Sequence, residues 1–229
     1  MGFFGFVCGA VSACVSVVSS LGSALSSFAN GISAVIGAIS SALPKLGEAL
    51  GQFANALLKG LGILKPDEDI EEQGERALQA AEQGITADKF DDFDDYVAAL
   101  RSFELDPDKA DKRSRAEKLS AGIGIGTVAL EKKFELEQGS LNGIWLLPLA
   151  NPEYFTAARV GDLVSGGKFS GDIHAYLERR LSVGEGHRFE TALANSAGMG
   201  EKQSLFQALD KACDNWTDIQ AQLSQKLER

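Results

Sequence analysis

The sequence predicts an all-α protein, and three observations carry that prediction. Large apolar residues recur at steps of three and four from Leu21 to Leu61. The same helical period returns in two charged segments, near 86–103 and 201–228. No strictly alternating run of β-branched residues appears beyond local fragments. The expected architecture is a hydrophobic N-terminal helical hairpin, one amphipathic helix, and then an acidic helical body.

The first zone, residues 1–64, carries the strongest signal. Its anchors are Leu21, Leu25, Phe28, Ile32, Val35, Ile39 and Leu43, continued by Leu46, Leu50, Phe53, Leu57 and Leu61. A flexible linker has no reason to keep that period for about eleven turns. A second stripe runs about 200° away, two residues before the anchors. It comprises Ser12, Ser16, Ser19, Ser23, Ser26, Asn30, Ser33 and Ser40. The segment is therefore two-faced, yet no Asp, Glu, Lys, Arg or His occurs from Met1 through Pro44.

The choice of hydroxyl over charge is chemically specific. Surface helices normally use Lys and Glu, which are better helix formers than Ser or Gly. A charge at a bilayer centre costs roughly 2.5–3.5 kcal/mol, whereas a serine can bond back to its own helix. The anchors therefore face lipid or a core, and the serine stripe faces water, a pore lumen or another helix. A span needs about 20 residues, so an uncharged run of this length suits a hairpin. Leu21–Gly22, Asn30–Gly31 and Pro44 are its expected breaks, and Gly5–Gly9 and Gly47–Gly51 suit close helix packing. A buried hairpin in an ordinary helical protein, or a tight subunit contact, would read the same way.

The body begins at Pro66, where Asp67 to Asp69 suit a helix N-terminus. Thr86 is the expected N-cap for a helix bearing Phe90, Phe93, Val97 and Leu100. A sub-boundary is expected near 137. Ser170 is the expected cap of "SGDIHAYLERRL", and the last helix should bury Leu205, Leu209, Ala212, Trp216, Ile219 and Leu223.

Charge divides the chain in the same way. Residues 1–64 hold only Lys45, Glu48 and Lys59, a net of +1, leaving −11 on residues 65–229 of the total −10. Such a body disfavours nucleic acid, and the basic residues Lys109, Lys112, Arg113, Arg115 and Lys118 are diluted by acids. Cys8, Cys14 and Cys213 form no zinc or disulfide pattern. "GIGIG" (Gly122–Gly126) lacks the dinucleotide spacing and reads as a close-packing face. The run Asp88 to Asp95 lacks a calcium-loop register, and Asp172 with His174 reads as a surface pair. No catalytic residue, cofactor or metal site is expected, and the chain does not read as an enzyme. The opening MGFFGFVCGAVSAC has no Lys or Arg, so no secretory signal is expected and the segment should be retained after cytoplasmic synthesis.

The Gly/Ala/Ser-rich hydrophobic start and polar helical remainder resemble the small pore-forming effectors of bacterial type VI secretion, with their glycine-zipper-like segments. The resemblance covers residues 1–64 and rests on composition and patterning. It implies insertion into a target cell's inner membrane, ion conduction, self-association, an immunity partner and delivery through a secretion tube. The expected function is a pore-forming antibacterial toxin. The alternative expectation is a non-enzymatic structural or binding protein whose hairpin is core or subunit interface.

Overall fold

The computed structural model describes residues 3–166, 172–197 and 202–227, with side chains described for 9–166, 172–195 and 202–226. The chain is all-helical, as its periodicity predicts, and no strand occurs among the described residues. The N-terminal zone is broken into α1 (Phe3–Ser20), a 3-10 turn (Ser23–Leu25), α2 (Ser26–Asn30), α3 (Ser33–Ala42) and α4 (Pro44–Gly60). All three expected breaks occur. At the first, Gly22 has φ +123°, a left-handed value that disfavours any side chain. A Cβ there would also lie 2.8 Å from Asp88 Oδ1. At the last, Pro44 starts α4 and holds Leu43 out of the helical region (φ −128°, ψ 70°). α1 and α3 lie side by side, with Cys14 packed over Gly37.

The body contributes α5 (Ile70–Glu82), α6 (Phe93–Ser102), α7 (Pro107–Ala110) and α8 (Arg115–Lys133). It continues with α9 (Leu146–Ala150), α10 (Ala157–Ser165), α11 (Ile173–Leu177), α12 (Val183–Ala197) and α13 (Lys202–Leu227). Short polar side chains start most of these. Asp69 Oδ1 accepts from Glu71 N at 2.8 Å, as the acidic run predicts. Ser114 and Glu117 form a reciprocal capping box at α8. Thr86 is not the cap expected of it: it precedes a 3-10 turn, and Asp92 caps α6, because Phe90 is extended and the helix starts only at Phe93. Ser170 lies outside the described residues, and Asp172 caps α11 through Ala175 N at 2.9 Å. Three of the five basic residues pair with α5: Lys109 and Arg113 with Glu82, and Arg115 with Glu71.

α8 is the axis of the fold. Every residue from Leu119 to Val128 is buried, because α5 covers one side and α1, α3 and α4 cover others. The "GIGIG" run makes this possible. A Cβ on Gly122 would sit 2.0 Å from Ile70 O, and one on Gly74 would sit 1.9 Å from Lys118 O. The α5 and α8 backbones touch. Gly126, one turn on, faces Leu58, while Gly124, about 200° away, faces Leu25 and Phe28. One continuous apolar core joins residues 1–64 to the body. The change in charge at residue 65 is therefore a boundary of composition across which packing continues.

Candidate membrane-active segment

The two predicted stripes separate as their offset requires. Leu21, Leu25, Phe28, Ile32 and Ile39 are buried, and Val35 and Leu43 are half-buried against the same core. Ser12, Ser16, Ser19, Ser23, Ser26 and Asn30 are exposed. In this conformation the anchors meet core and most of the serine stripe meets water. Two members depart from it. Ser33 is fully buried, and its hydroxyl donates to Ala29 O at 2.6 Å. Ser40 is half-buried, its Oγ without a partner, in the space left by the missing Cβ of Gly47. Both lie on α3, which α1, α4 and α8 pack on more than one side, so its polar positions, like its anchors, meet protein.

No single described helix is long and apolar enough to cross a membrane. The helix pair Ser23–Asn30 and Ser33–Ala42 passes that test together by length and composition, bent by 57°. Crossing would require that bend to open or α1 to join it.

A few polar contacts fasten this segment to the body. Ala87 N donates to Leu21 O at 2.8 Å, and Gln138 Nε2 to Ala24 O at 2.7 Å. Asn142 Nδ2 donates to Ser27 Oγ at 2.9 Å. Gly139, at φ +87°, lies against Ser27 so closely that a Cβ would meet its Oγ. The loop carrying these groups is itself held from below. Glu131 Oε1, on α8, accepts from Gly139 N at 2.9 Å and Leu141 N at 3.0 Å. No cation pairs with it among the described residues, and burial pushes its carboxyl above the usual range. Further along, Lys133 Nζ caps Leu61 O at 2.6 Å, and Arg101, paired with Glu68, reaches Ile63 O at 2.9 Å.

Magnitudes decide which contacts matter for release. Each buried large apolar side chain is worth about 1.5–3 kcal/mol, so five anchors outweigh the fasteners at about 0.5–1.5 kcal/mol each. Water cannot extract the anchors. A hydrocarbon phase could, because it is as apolar as the core, leaving mainly the polar fasteners to break.

The fasteners were not legible beforehand. Glu131 stands among the charges of "EKKFELE", where nothing local marks a buried acid, and Gln138 and Asn142 carry no periodic signal. The local signal available is Gly139, the residue type that takes a positive φ without strain. Elsewhere, His174 Nε2 lies 3.1 Å from Glu178 and its ring meets Trp216 edge-on, so Asp172 is a cap and not its partner. Asp88, Asp91, Asp92, Asp94 and Asp95 are exposed. Cys14 is buried, and burial pushes its thiol up to about 11; Cys8 lies outside the described side chains. Among the described residues no group of three or more His, Cys, Asp or Glu could hold a metal. Comparison of the chain with protein-family models, curated proteins and solved structures gives no match.

Proposed function

We propose that this protein is a pore-forming antibacterial effector that stores its uncharged N-terminal segment as core and releases it into a target inner membrane. The observation that supports the reading is the pairing of zero charge over residues 1–44 with an apolar stripe attached to an acidic body. After release the anchors would meet lipid, and Ser12, Ser16, Ser19, Ser23, Ser26 and Asn30 would turn toward a lumen. Ser33 and Ser40 would join them once the bend at Gly31 straightens. One helix cannot enclose water, so several copies or several helices must surround the path. A hydroxyl lining favours small ions, with selectivity set by width and rim charge. An immunity protein and a secretion-tube component are the partners this reading requires, and no catalytic chemistry enters it.

A second reading, a static helical module, is favoured by the absence of a long apolar span among the described helices. Planar bilayers separate the two. Purified protein should give discrete conductance steps, and expression in the periplasm of a sensitive cell should collapse its membrane potential. Silent bilayers together with an unchanged potential would leave the static module.

A further inference from the structure

At the elbow between α3 and α4, the chain leaves a groove of about 630 Å³ walled by the end of α9 and the last turns of α13. Its lining is mostly apolar. Leu43 and Leu46 are half-buried on one side, and Ile219 lies opposite. Sites of roughly 300–1,000 Å³ with apolar walls and a few placed polar groups are the usual form of a ligand cleft.

The rim carries the specific signal. In a chain of net charge −10, two exposed lysines, Lys45 and Lys226, line this groove, and neither has a partner among the described residues. Lys45 stands in the first turn of α4, a 17-residue helix with no capping side chain and no acid in that turn. A cation there opposes the helix dipole, a cost that an anion at the same place would reverse. Asp218 is the lone acid of the lining.

We propose that this groove binds an anionic phospholipid of the bilayer surface, one acyl chain lying along Leu43, Leu46 and Ile219 and the phosphate held by Lys45 and Lys226. The inference rests on the membrane reading above and gives it a first contact. Docking at the α3–α4 elbow would place the return leg of the hairpin at the lipid surface before release.

Flotation with phosphatidylglycerol vesicles tests it. The variant Lys45→Gln/Lys226→Gln should bind about 25-fold more weakly than the unaltered protein, at about fivefold per lysine. Lys112→Gln/Lys202→Gln, two exposed lysines away from the groove, should change binding less than threefold, roughly the effect of partial screening. Phosphatidylcholine vesicles should bind neither protein, and millimolar inorganic phosphate should not compete. Equal loss in both double variants, or competition by phosphate alone, overturns the lipid assignment. Groove-dependent flotation without bilayer current removes the pore and keeps the groove. Current with flotation indifferent to Lys45 and Lys226 does the reverse.

Discussion

α8 and the α1–α3 segment are both rich in small residues, and the fold uses them in opposite ways. In α8 the glycines face inward: Gly122 meets the α5 backbone, and Gly124 and Gly126 receive side chains from α2 and α4. In α1 the described stripe faces outward: Gly9 has nothing within 4 Å of its missing Cβ among the described residues, and Ser12, Ser16 and Ser19 are exposed. The lesson is that smallness has two uses. Inside, it permits backbone contact at the centre of a stable body. Outside, it keeps a helix surface free of charge, the property on which the proposed transfer to lipid depends.

The comparison can be broken most forcefully at its inner side. Gly74→Ala or Gly122→Ala drives a Cβ into a backbone carbonyl, and should cost about 3 kcal/mol or more in urea unfolding. Gly9→Ala should instead add about 0.5–1 kcal/mol, since nothing opposes it and alanine is the better helix former. A similar loss at Gly9 would erase the contrast.

Next come charges placed on the two kinds of serine. Ser33→Glu buries an unpaired carboxylate and should unfold the protein or lower its stability by several kcal/mol. Ser26→Asp lies at the surface and should stay within about 0.5 kcal/mol in water. In bilayers the same change would put a carboxylate on the proposed lumen, so currents should persist and become more cation-selective. Unchanged ion selectivity of Ser26→Asp would mean this position does not line the path.

Smaller effects belong to the seam between the two regions. Glu131→Gln keeps one oxygen to accept both loop amides and removes a buried charge. Because the folded carboxyl sits above its ordinary range, its favourable contribution is complete below about pH 4.5 and is lost as pH rises through the folded value. At pH 7 the glutamine variant should therefore be the more stable of the two, and that gain should vanish toward pH 4. Denaturant midpoints across that window check the sign. Gln138→Ala/Asn142→Ala removes two fasteners at about 1 kcal/mol each. Amide exchange over residues 21–31 should quicken by about an order of magnitude, with α5 and α8 unchanged.

Legibility in the sequence followed the physics that local period can carry. Helical spacing placed the elements, and the breaks at Gly22, Gly31 and Pro44 were readable because Gly and Pro act on their own backbone. The close-packing face of "GIGIG" was readable as well. Of the glycines expected to pack closely, Gly47 meets Ser40 as expected, Gly9 is open among the described residues, and Gly5 lies outside the described side chains; further tight contacts lie at α5–α8 and at Gly37 against Cys14. The packing of α3 on several sides was not readable, and it is what covers Ser33 and half-buries Ser40. Nor were Glu131, Gln138 and Asn142, whose partners lie 8 to 115 residues away.

The central claim is that the hairpin must part from the body before any current flows, and a reversible tether addresses it directly. Ser27→Cys and Asn142→Cys, adjacent across the fastened corner, can be bridged by a short bis-methanethiosulfonate reagent in a chain carrying Cys8→Ser. Bridged protein should leave planar bilayers silent, and reduction should restore the currents of the unbridged chain. Undiminished current from the bridged form would contradict release of the segment as the route to the membrane.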